Sequence, residues 1–189
     1  MLQLATDDKV MELHRHLGVE SPIHHLCIKA RNWTHHRLMS LPCWQELAED
    51  ERSECPQGAY EICRVTAILY STAVIFPMPA NTGWYLKEVE ALANFHKTFT
   101  LRGLPGSTNS SIIWALWIAG MAAMHTPHRN FFVTALRSSL VSSGLLSWPA
   151  VTDTLARFLW SEPACGRGGK LLWELLGLEA APLSFDEVI

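Results

Sequence analysis

Apolar positions along the 189-residue chain recur at intervals of three and four with no run of strict alternation, a pattern that predicts helices and no sheet. Thr6, Asp7 and Asp8 open a first helix with carboxylates in its first turn; His14, Arg15 and His16 complement its last turn and Gly18 stops it. Ser21-Pro22 joins a cap to a proline at the first helical position, and Ile23, Leu26, Cys27, Ala30 and Trp33 then keep helical spacing to about Met39. Pro42 starts a short helix, Trp44 to Glu51, ahead of the loop Cys55-Pro56-Gln57-Gly58. Ala59 to Phe76 is apolar on nearly every face, the mark of a central helix, and Pro77-Met78-Pro79 breaks it. Trp84 to Thr98 follows, with Lys87, Glu88 and Glu90 on its wetter side.

After a Gly/Pro-rich loop from Leu101 to Ser107, Asn109 or Ser110 can cap a helix that runs to about Met124. Thr126-Pro127 and Ser147-Trp148-Pro149 repeat the cap-and-proline signature, one helix ending at Ser142-Ser143-Gly144 and the other leading to Trp160. Cys165 to Gly169 reads as a turn, Lys170 to Leu176 as a last helix, and residues 178–189 as a tail. The expectation is a single all-α domain over residues 1–189, built from roughly seven to nine helices.

Composition narrows the function classes. Apolar residues make up 49% and charged residues 17%, with eight Trp, so the core is large and a partner surface or internal pocket is in keeping with the remainder. A net charge of −3 argues against affinity built on phosphate neutralisation. The five Cys (27, 43, 55, 63 and 165) contain no CxxC pair and read as reduced intracellular thiols, nuclear or cytoplasmic. Arg64, Pro77 and Pro79 interrupt the apolar run from Ile62 to Ala80, and Ile112 to Met124 is too short to span a bilayer, so no membrane is expected.

Several segments carry a resemblance in chain order. They are Tyr60-Glu61-Ile62-Cys63-Arg64 leading to Val74-Ile75-Phe76-Pro77-Met78-Pro79, then Trp114-Ala115-Leu116-Trp117-Ile118-Ala119-Gly120, then Thr126-Pro127-His128-Arg129-Asn130-Phe131-Phe132. Ser147-Trp148, Phe158-Leu159-Trp160 and Gly169-Lys170-Leu171-Leu172-Trp173 complete the set. Over about residues 35–176 the chain thus resembles the fungal-specific transcription factor domain, the regulatory module that follows a binuclear zinc cluster. The resemblance implies a helical fold and a regulatory or small-molecule-sensing role, and it transfers no catalytic residue. The zinc cluster of that family needs six closely spaced Cys, whereas here the first is Cys27 and no two lie within seven positions. Direct DNA binding by this chain is therefore not expected.

Candidate chemistry is sparse. Six of the nine His fall between residues 14 and 36; on the second helix His24, Ile28, Arg31 and His35 share one face, and His25, Lys29, Asn32 and His36 the adjacent one. These His and Arg31 are the acid/base candidates if the chain is an enzyme, although a half-exposed polar face is the plainer account. HExxH is absent and neither His pair sets both rings on one ligand-ready face, so no metal and no cofactor are expected. Cys165-Gly166-Arg167-Gly168-Gly169-Lys170 lacks the glycine spacing and hydroxyl of a phosphate loop, and Cys63 sits in an apolar helix that predicts an inert thiol. Trp84, Trp114 and Trp117 could wall a pocket for a flat ligand, with His128 at a helix start beside it; aromatic stripes also serve simply as core.

Two functions follow. The first is a regulatory module that binds an apolar small molecule or a protein partner, compatible with a homodimer. The second is a stand-alone cyclase or isomerase of fungal secondary metabolism, with a helical apolar pocket and His24, His25, His35 and His36 as acid/base groups.

Overall fold

A computed structural model describes residues 22–54, 56–75, 83–99 and 106–178, and every regular element among them is helical. Eight α-helices lie among the described residues: α1 (Pro22–Met39), α2 (Glu49–Glu54), α3 (Gln57–Tyr70), α4 (Gly83–Phe99), α5 (Gly106–Ala122), α6 (Arg129–Ser142), α7 (Trp148–Leu155) and α8 (Glu162–Leu176). A 3₁₀ turn (Trp44–Glu46) precedes α2, and a π-helical turn (Ser71–Ile75) continues α3. The helix expected around Thr6 to Gly18 and the tail lie outside the described residues.

The middle of the molecule is α5. Ile112 through Met121 are all buried, so this helix presents no wet face and must be surrounded. It packs on α3, α6, α7 and α8, and more lightly on α4, while α3 also lies along α4. Leu69 and Val89 in the α3–α4 seam, Leu136 and Leu140 on α6, Val151 and Leu155 on α7, and Leu172 on α8 are all fully buried. Each such side chain contributes about 1.5–3 kcal/mol relative to exposure.

Local chemistry accounts for the boundaries. Ser147 accepts a hydrogen bond from the Ala150 amide at 3.4 Å and Pro149 follows in the first turn, so α7 starts where the cap-and-proline pattern places it. Gly177, at φ 58°, closes α8 in the left-handed conformation that glycine adopts without a Cβ penalty. The segment expected as one helix from Trp44 to Glu51 instead divides, because Leu47 is extended between the 3₁₀ turn and α2. That turn is pinned to α3: the buried Glu61 carboxylate accepts from the Trp44 amide and pairs with Arg64 at 2.9 Å, while the Tyr60 hydroxyl donates to the Pro42 carbonyl at 2.7 Å.

Three expectations need correction. Asn109 and Ser110 do not cap α5, which starts a turn earlier at Gly106 despite the weak helix propensity of its first residues. Thr126 caps only a local turn, its Oγ1 accepting from the His128 amide at 3.2 Å, and α6 begins at Arg129. Cys165 to Gly169 is helix, not turn. Ser161 and Pro163 set the start of α8 upstream of the glycines, whose missing side chains let the helix approach its neighbours. An ideal Cβ on Gly169 would lie 2.7 Å from Trp160 Cη2 and 3.2 Å from both Trp117 Nε1 and Trp148 Cη2.

Candidate functional site

A concavity lies where α3, α5 and the turn after α7 meet. It is a surface groove of about 470 Å³, within the range of small-molecule sites. Its α3 wall is Cys63 and Ala67, one turn apart; α5 supplies Ser111 and the buried Trp114. Arg157, Phe158 and Leu159 form the outer rim.

That rim is held as a strap. The Arg157 amide donates to the Thr154 carbonyl at 3.3 Å and the Phe158 amide to Leu155 at 3.0 Å. Trp114 Nε1 donates across to the Leu159 carbonyl at 3.0 Å, so the same indole that floors the groove ties its rim to α5. Phe158 lies over Trp114, with ring centroids 6.0 Å apart and planes inclined by 23°. The groove therefore offers aromatic and aliphatic surface, a hydroxyl, a thiol and a single charge, the exposed guanidinium of Arg157.

The expected site residues are placed as follows. Trp114 lines the groove, but Trp117 is fully buried in an aromatic cluster with Trp148 at 5.7 Å, and its Nε1 has no hydrogen-bond partner among the described residues. His128 is half-buried at the head of α6 and does not line the groove. Trp84 and His24 belong to α4 and α1, with their side chains outside the described residues. On α1, His25, Arg31 and His36 are exposed, while His35 Nδ1 is 2.8 Å from Ser71 Oγ and fastens α1 to the π-turn. His25, Arg31, His35 and His36 are thus spread along α1, and none lines the groove.

Other titratable groups stand apart from it. His96 on α4 is buried beside Phe131, and burial lowers its pKa to about 4. Cys165 is buried with its thiol pushed up by desolvation, in contact with Tyr70, whose hydroxyl is likewise pushed up by burial. No cluster of His, Cys, Asp or Glu fit to hold a metal occurs among the described residues, and none of their helices is long and apolar enough to cross a membrane.

The profile of the fungal specific transcription factor domain matches residues 12–161. The chain belongs to that family. The chain matches no curated protein and no solved structure. The part matching the transcription factor domain takes in α1 through α7 and the strap, and α8 follows it. All groove-lining residues fall inside the transcription factor domain match.

Motif reading identified Trp114 and missed its partners. Arg157 and Ser111 carry no periodic signal of their own. A sequence cue did exist: Arg157 immediately precedes the Phe158-Leu159-Trp160 motif, a cation beside an aromatic pair in a segment that ends a helix.

Proposed function

We propose that this chain is a regulatory module of fungal transcription-factor type, itself without a DNA-binding zinc cluster, and that it acts by binding a small apolar molecule in the groove floored by Trp114. The observation that carries the reading is the groove itself, an apolar cleft of about 470 Å³ inside the family region. Clefts of this size and lining, with a few polar groups at the rim, are the usual form of small-molecule sites. The Trp114–Leu159 hydrogen bond gives such a ligand a structural consequence, because occupancy bears directly on the strap leading into α8.

The test uses the neutral dye N-phenyl-1-naphthylamine and a variant that fills the cleft, Ala67→Phe. Ala67 is half-buried and lines the groove, so the added ring projects into the space. The dye is expected to brighten with the wild type, and the variant to lose most of that signal while keeping its helical circular dichroism. Dye binding that is unchanged in the variant sinks the proposal. Mass analysis of small molecules recovered from the complex reads the enzyme alternative, which requires a chemically altered product.

A further inference from the structure

We infer that the groove selects a flat apolar molecule carrying one carboxylate, with Arg157 pairing that carboxylate at the rim. The inference rests on the small-molecule reading above and adds the chemical class of the ligand. Flatness follows from the floor. Trp114 and Phe158 are nearly parallel and close, so the slot beside them presents ring surface against which a planar body stacks. The α3 wall, Cys63 and Ala67, adds no charge.

The anionic group follows from the rim. Arg157 is the charged member of the lining, and no carboxylate among the described residues lines the groove with it. Among the described residues Arg64, next to Cys63 in the chain, is already paired with Glu61 at 2.9 Å, whereas Arg157 has no ion-pair partner there, Asp153 on the preceding turn included. In a chain of net charge −3, a solitary guanidinium at the mouth of an apolar cleft is the one complement that the groove offers to a charged ligand. A cation after α7 also balances that helix's C-terminal dipole, and any position in the last turn would serve that purpose equally. Its place on the groove rim, on a backbone fixed by hydrogen bonds on both sides, is what points to a ligand. Guanidinium groups meet carboxylates in a planar two-pronged geometry that neutral polar groups do not match.

The experiment compares 1-naphthylacetic acid with its uncharged amide by calorimetry on the full chain, wild type and Arg157→Gln. Arg157 is exposed, so the substitution leaves the fold intact. The acid is expected to bind the wild type about fivefold to tenfold more tightly than the amide at low salt. That preference should shrink with added salt and disappear in Arg157→Gln, with the affinity for the amide unchanged. Equal binding of acid and amide by the wild type, or a preference that survives in Arg157→Gln, overturns this inference and leaves the small-molecule reading standing. Failure of both probes to bind the wild type, or binding that persists in Ala67→Phe, overturns both.

Discussion

Alanine substitutions at two glycines of α8 should differ in what they cost, and the reason is what each new methyl group would meet. A Gly→Ala change inside a helix gains about 1 kcal/mol from backbone entropy and propensity, before any contact of the new methyl group is counted. At Gly166 the three atoms nearest the added Cβ all belong to the carboxylate of Glu162, the far end of an exposed and flexible side chain. Swinging that group aside gives up its bond from Trp160 Nε1 at 2.9 Å, an exposed contact worth no more than about 1 kcal/mol. The two contributions nearly cancel, and Gly166→Ala should be neutral or slightly stabilising. At Gly169 the methyl group would lie 2.7 Å from one indole and 3.2 Å from two others, against an optimum of about 3.5–4.0 Å between carbons.

Those rings cannot yield separately. Trp148 is packed at 5.7 Å from Trp117 and 6.1 Å from Trp173, so relief at one contact transmits to the rest. Overpacking of this kind costs about 1–3 kcal/mol, and three rigid neighbours place Gly169 toward the upper end. After the helix gain, Gly169→Ala should lose about 1–2 kcal/mol, a fall of about 2–8 °C in Tm for a chain of this size. Urea melts of the two variants beside the wild type give the comparison directly. A Gly169→Ala protein as stable as the wild type, or one indistinguishable from Gly166→Ala, would refute the claim that glycine is there to admit the indoles.

Two more expectations concern buried polar groups. His96 is buried neutral with its pKa lowered to about 4, so the unfolded chain, with a His near 6.5, binds more protons than the folded one between those values. The stability this lowering protects is complete above pH 6.5 and is lost as pH falls through 4, up to about 3 kcal/mol, and His96→Phe should flatten that part of a denaturation-versus-pH curve. Thr66 is fully buried and its hydroxyl has no partner among the described residues, so the near-isosteric Thr66→Val should raise the free energy of unfolding by about 1 kcal/mol; a loss in the same chemical melt would mean that the hydroxyl is satisfied after all.

The sequence was most informative where one local rule acts alone. Pro149 and Ser147 fixed the start of α7, and the uninterrupted apolar run from Ile112 announced a surrounded helix. It misled where tertiary packing overrides propensity: glycine-rich 165–169 looks like a turn until the indoles around Gly169 are known. The same limit applies to the site. Trp114 is conspicuous as a residue, but nothing in its own neighbourhood of the chain foretells that its indole N–H reaches Leu159, some 45 positions on. The His-rich stripe stood out by composition, yet α1 touches mainly α3 and the π-turn, so its periodicity describes a helix surface more than a cavity.

The relation of α8 to the family region has a practical meaning. The match stops at residue 161, but Leu172, Trp173 and Leu176 just beyond it are at most 2% exposed and pack into the common core with α5 and α6. The inherited unit and the unit that folds are therefore different lengths of chain. A fragment cut to the boundaries of the family would strip the lid from the Trp117 cluster and behave as an insoluble partial fold, so any dissection of this protein into working pieces has to follow the core and carry α8 along.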